Sequence, residues 1–129
     1  MKILLDTPVF LWAVLSPEQL SDEARELLRD IHYEKYLSAA SAWEIAIKHS
    51  KGKLILPKPP EEFVNQSIAS SGIISLPVTM HDAFVLADLP LHHKDIFDRQ
   101  LVAQAQHHKM FLMTADPVFE LYDIQIIST

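Results

Sequence analysis

Four acidic residues, Asp6, Glu44, Asp98 and Asp116, each stand where an apolar, strand-like run gives way to a helix, or just inside the helix that follows. If the strands form one parallel sheet, those junctions lie along one edge and the carboxylates converge there. Carboxylates crowded into one cleft repel one another unless a divalent cation sits among them. With no cysteine and no His-Glu-x-x-His zinc spacing, the donors suit a hard cation, Mg²⁺ or Mn²⁺. The chemistry expected is metal-dependent phosphodiester cleavage. Asp6 and Asp98 are read as direct ligands, and Glu44 and Asp116 as completing the pocket, directly or through water.

Each acid also has a duller reading, because strand ends are where helices begin and Asp is a favoured N-cap. Asp95 precedes its helix as a cap should, with Asp98 three residues on, and Asp116 precedes Pro117. Glu44 follows Ser41 by three residues, the spacing of a capping box, and stands one turn before Lys48. Asp6 differs. Thr7 can cap the first helix with Pro8 at its first position, which leaves Asp6 without a local task. Capping and catalysis are compatible, since a helix N-terminus keeps an acid ionised and favours a phosphate beside it. Asp95 and Thr114 are supporting groups, and Lys94 and Arg99 either contact phosphate or form surface ion pairs. His92-His93 and His107-His108 read as surface or loop residues, with His92 or His93 near enough to Asp95 to face the cleft.

The elements that must place these residues alternate. Lys2–Leu5, Tyr36–Ala40, Ile73–Val78, Met110–Met113 and Ile124–Ile127 read as strands. Between them lie helices over Thr7 to Leu15, from Ser21 with Leu27, Leu28 and Ile31 on one face, and from Ser41 to Gly52. Further helices span Glu61–Ser71, Thr79 to Ala87, and Asp95 onward with Phe97, Leu101 and Ala105 at four-residue intervals. A last short helix opens at Asp116-Pro117. This alternation predicts one α/β domain over residues 1–129 with helices on both faces of a parallel sheet.

The totals exclude several classes. A net charge of −6 argues against a broad basic nucleic-acid surface, although bound cations reverse the local field. Two glycines leave no phosphate-cradling loop, and no Gly-x-Ser-x-Gly elbow is present. Asp6 and Pro8 interrupt the apolar start, so it reads neither as a leader nor as a membrane span, and a cytoplasmic location is expected. Trp12 and Leu54-Ile55-Leu56 are either core or a partner groove.

Leu4-Leu5-Asp6-Thr7, Ser38-Ala39-Ala40-Ser41-Ala42-Trp43-Glu44-Ile45-Ala46-Ile47-Lys48, Leu89-Pro90-Leu91-His92-His93-Lys94-Asp95-Ile96-Phe97-Asp98-Arg99, Leu101-Val102-Ala103-Gln104-Ala105 and Thr114-Ala115-Asp116 occur in that order. Together they resemble a PIN domain of the VapC type, the toxin ribonucleases of bacterial toxin–antitoxin pairs. Ile96 departs from the proline that many relatives carry before Phe-Asp-Arg. The resemblance implies a three-layer α/β/α fold with a parallel sheet of about five strands. It also implies Mg²⁺- or Mn²⁺-dependent endoribonuclease activity, a homodimer, and inhibition by a small DNA-binding antitoxin. A non-cleaving binding module and a DNA nuclease are the competing readings.

Overall fold

A computed structural model describes residues 1–129. Strands β1 (Lys2–Leu5), β2 (Glu34–Ser38), β3 (Ile74–Leu76), β4 (Phe111–Thr114) and β5 (Gln125–Ser128) form one sheet in the order β3-β2-β1-β4-β5. Every neighbouring pair is parallel. Six α-helices connect them: α1 (Thr7–Leu15), α2 (Asp22–Arg29), α3 (Ala39–Ser50), α4 (Pro60–Ser71), α5 (Met80–Val85) and α6 (Ile96–His108). From β1 the chain steps outward through β2 to β3, then returns to the opposite side of β1 for β4 and β5. Connections that leave two adjacent parallel strands in opposite directions open a crevice at their carboxyl ends. Here those strands are β1 and β4, so the crevice opens beside Asp6 and Thr114.

Side-chain alternation divides the core into two layers. Ile3 and Leu5 of β1, with Leu37 and Met113, pack against Val9, Phe10, Ala24, Ile45 and Phe63 on the face covered by α1 to α4. Leu4 and Leu112 point the other way, onto Leu101, Val102 and Ala105 of α6 and onto Phe119 and Tyr122. Burial on both faces is why the central strands β1 and β4 read as apolar runs. Each fully buried aliphatic side chain contributes about 1.5–3 kcal/mol. That rigid sheet fixes the positions of the residues at its carboxyl edge.

Several boundaries differ from the sequence reading. The second strand ends at Ser38, whose hydroxyl accepts the Ala40 N–H at 3.0 Å, so α3 begins at Ala39, ahead of the expected Ser41. Ala39 and Ala40 are strong helix formers and Ser38 is a strong cap, and that local preference outweighs strand extension. The third strand stops at Leu76, because Pro77 has no N–H for the ladder. Ile31 lies beyond the end of α2 and is 89% exposed, while Leu27 and Leu28 pack on the core. The helix after Asp116 is a short 3-10 turn, Pro117–Leu121.

Two helices end in the left-handed region. Gly72 closes α4 at φ 65°, where a residue without Cβ is at ease. Lys109 closes α6 at φ 55° and carries a side chain there. Lys109→Gly is therefore expected to raise stability by about 1 kcal/mol, read as a higher urea midpoint at unchanged slope.

Candidate active site

Asp6 follows β1 directly, and its backbone N–H donates to the Met113 carbonyl at 3.0 Å, which continues the β1–β4 ladder by one step. That step sets Asp6 beside Thr114. Its Oδ1 accepts the Thr7 N–H at 2.9 Å and its Oδ2 accepts the Thr114 hydroxyl at 2.7 Å. The expectation that Thr7 caps α1 is thus corrected: Asp6 is the cap, and Thr7 turns its hydroxyl to Ser41 Oγ at 2.8 Å. Capping does not remove Asp6 from the cleft. Burial pushes its carboxyl up to about 6, against the hydrogen bonds from Thr114 and Thr7 and with help from the charges of Glu44 and Asp116.

Thr114 also accepts the Asp116 N–H at 3.0 Å, so a single hydroxyl joins two of the acids. Asp116 Oδ1 caps the following turn through the Val118 N–H at 3.0 Å, as its sequence context predicted. Its Oδ2 remains directed at the cleft, 3.2 Å from His93 Nε2.

Asp98 reaches the same point from the opposite wall. Asp95 Oδ1 accepts the N–H groups of Phe97 and Asp98 at 2.8 and 3.1 Å, which orients the first turn of α6. Asp98 Oδ2 lies 3.0 Å from His93 Nε2, and the facing atoms of His93, Asp98 and Asp116 all fall within 4.8 Å of one another. Burial, reinforced by the charges of Asp6, Asp95, Glu44 and Asp116, pushes the Asp98 carboxyl up to about 8. This is the signature of negative charge packed beyond what the protein alone neutralises.

The role of His93 follows from its other nitrogen. The Asp95 backbone N–H donates to His93 Nδ1 at 3.1 Å, so that atom is an acceptor and the ring proton of the neutral tautomer sits on Nε2. Nε2–H then donates to the two carboxylates, which makes His93 a donor to the cluster rather than a cation ligand. The ring packs on Phe119 at 5.6 Å, and the N–H groups of His92 and His93 donate to the Tyr122 hydroxyl at 3.1 and 2.8 Å. By sequence alone His92 and His93 fit either the loop surface or the cleft. Nearness to Asp95 was the only local signal, and the contacts that decide come from Phe119 and Tyr122.

Glu44 projects from inside α3, and the capping box with Ser41 is not formed. The expected pairing with Lys48 is present through Oε2, and that bond raises the pKa of the Lys48 ammonium. Oε1 is buried and has no hydrogen-bond partner. An orphaned buried carboxylate oxygen beside three more acids fits a bound cation or its water, and the all-oxygen donor set fits a hard one.

Arg99 forms no surface ion pair. Its guanidinium donates to the carbonyls of Pro90 and Leu86 at 3.0 and 3.2 Å and so fastens the loop that carries His93. Lys94 is exposed on that loop.

The sequence profile of the PIN domain matches residues 3–125 of this chain. Ribonuclease VapC16 of Mycobacterium tuberculosis is 40% identical over 57 residues, a stretch that covers 44% of this chain and 40% of that protein. The chain thus aligns with less than half the length of that curated relative. Among solved structures, VapBC2 from Rickettsia felis, bound to a DNA fragment from its promoter, is similar in fold with a TM-score of 0.74. That likeness covers 99% of this chain and 98% of the other at 16% identity. FitAcB from Neisseria gonorrhoeae is similar with a TM-score of 0.64 and 25% identity, over 97% of this chain and 96% of the other.

Proposed function

The chain belongs to the PIN-domain family, and from that premise we propose that it is a Mg²⁺- or Mn²⁺-dependent endoribonuclease, the toxin of a toxin–antitoxin pair. The observation that carries the reading is the carboxylate cluster of Asp6, Glu44, Asp98 and Asp116, crowded enough to hold Asp98 at about 8. The name of the partly aligned relative, a ribonuclease, supports RNA as the substrate class.

In this mechanism Asp6 and Asp98 hold the cation directly, and Glu44 and Asp116 hold it directly or through water. When bound, the cation supplies an acidified water and offsets charge on the phosphorane and leaving oxygen. The chain's own groups do the rest. Thr114 keeps Asp6 and Asp116 in register, and Asp95 fixes the first turn of α6 under Asp98. His93 Nε2–H, positioned between Asp98 and Asp116, orients both carboxylates. Lys48 brings positive charge to an otherwise acidic rim.

A homodimer bound by a small DNA-binding antitoxin, acting in the cytoplasm, completes the proposal. No helix is long and apolar enough to cross a membrane. Trp12, Leu54 and Leu56, considered as a partner groove, pack against the core, and only Ile55 of that group is exposed. The apolar surface lies instead on α3, α5 and α6, where Trp43, Met80, Phe84 and Ile96 are between 59% and 78% exposed. A surface of that kind supports a protein partner.

The test incubates the protein with end-labelled RNA and with DNA of the same sequence, in Mn²⁺ or Mg²⁺ and in EDTA. RNA cut internally with metal, intact DNA, and loss of cleavage in EDTA are expected. Cleavage that persists in EDTA, or DNA cut in preference to RNA, refutes the assignment. Size-exclusion chromatography with and without the co-encoded partner tests the assembly.

A further inference from the structure

The far end of α6 carries a second cluster that the carboxylate cleft does not use. Asp82, His107 and His108 present ligand atoms that all lie within 4.8 Å of one another. His107 and His108 close α6, roughly 15 Å along the helix from Asp98 at a rise of 1.5 Å per residue. The two clusters are therefore separate.

Asp82 is fully buried. Its Oδ2 closes a capping box by accepting the Thr79 N–H at 3.0 Å, and accepts the Gln104 amide at 3.2 Å. Gln100 holds the Asp82 carbonyl at 3.1 Å. These bonds satisfy one carboxylate oxygen and aim the other. Oδ1 has no hydrogen-bond partner and is sealed from solvent, and the same holds for His108 Nε2, which faces it at 3.6 Å. A direct imidazolium–carboxylate bond closes to about 2.7–2.9 Å, so this pair is too far apart to satisfy itself. Two bonds of about 2.0–2.1 Å from one ion to atoms 3.6 Å apart open an angle of roughly 120°, somewhat wider than the regular tetrahedral angle. The His107 ring lies 4.6 Å from that of His108, with the His81 ring 4.3 Å beyond it.

We propose that Asp82 Oδ1, His107 and His108 Nε2 form a second cation site, which takes one borderline ion of the Zn²⁺ class. Two imidazoles and one carboxylate suit Zn²⁺, Co²⁺ or Ni²⁺ and not the hard cation of the cleft. The carboxylate is held from behind by a backbone N–H and an amide, as metal-ligating carboxylates are. The negative end of the α6 dipole adds to the attraction. Such an ion ties α5 to the end of α6 across the Gln100 and Gln104 contacts, a structural staple independent of RNA cleavage.

The test titrates Zn²⁺ calorimetrically into the full chain carrying Asp98→Asn, which weakens the cleft. One Zn²⁺ per chain is expected. Adding His108→Gln or Asp82→Asn should weaken that binding by at least about tenfold and remove the visible absorption of tetrahedral Co²⁺. Asp82→Asn retains an oxygen for the Thr79 cap and His108 is only half-buried, so circular dichroism should report an intact fold for both. No Zn²⁺ bound by the Asp98→Asn chain, or unchanged affinity in either doubly substituted chain, overturns the proposal.

Discussion

Asp98→Asn is expected to abolish metal-dependent RNA cleavage by about 10³-fold, the scale of losing several kcal/mol of transition-state stabilisation, while making the metal-free protein more stable. The two effects share one cause. In the folded chain the Asp98 carboxyl titrates at about 8, against 3.8 for an ordinary aspartate, because burial and four neighbouring acids disfavour its charge. A carboxyl whose folded pKa is raised favours folding in its protonated form. Its contribution is fully present below 3.8 and is lost progressively as pH rises towards 8. At pH 8 the wild type carries that penalty and an asparagine does not. Thermal unfolding in EDTA at pH 8 should therefore show Asp98→Asn melting about 5 °C or more above the wild type. The gap should narrow as pH falls to 5. Added Mn²⁺ should reverse the order, stabilising the wild type and leaving the variant nearly unmoved. A variant that melts lower in EDTA at pH 8 would show that Asp98 serves the fold rather than the cleft. Retained cleavage would remove it from the reaction.

The cleft was visible in the sequence to the extent that it depends on strand ends. Asp6, Asp98 and Asp116 follow or face runs that must be strands, and the parallel sheet brings strand ends to one edge whatever the local details. Local capping was less legible, because Thr7 and Asp6 are both good caps and the choice rests on Ser41, a residue of another helix that engages the Thr7 hydroxyl. Glu44 shows the opposite case. Its capping-box spacing is genuine in the sequence, but Ser38 starts the helix earlier, since its side chain caps Ala40 and meets Gln104 across the sheet edge. The loop that Arg99 fastens was not legible, because its partners are backbone carbonyls, which no sequence pattern displays. His93 was hidden for a related reason. Its tautomer and direction are set by the Asp95 N–H, the Phe119 ring and the Tyr122 hydroxyl, contacts of the folded loop and of a distant turn.

Cation affinity is expected to fall steeply with acid, in two stages. Asp6 titrates at about 6 and Asp98 at about 8, both raised first by burial. A cation ligated by both must displace every proton they hold. Between pH 8 and pH 6 only Asp98 is substantially protonated, so each pH unit should weaken binding about tenfold. Below pH 6 both acids carry protons and the slope should approach about a hundredfold per unit. Lowering the pH from 8 to 5 then weakens binding by roughly 10³–10⁴-fold, while the metal-free fold becomes more stable over the same interval. Calorimetric titration with Mn²⁺ at several pH values, in buffers of different ionisation enthalpy, measures both the affinity and the protons released. Release should rise from under one proton per ion near pH 8 to nearly two at pH 5. In Asp98→Asn the slope between pH 8 and pH 6 should vanish and the slope below pH 6 should fall to about tenfold per unit. An affinity independent of pH over this range would mean that the cation does not contact these two carboxylates, and the ligand assignment would pass to Glu44 and Asp116.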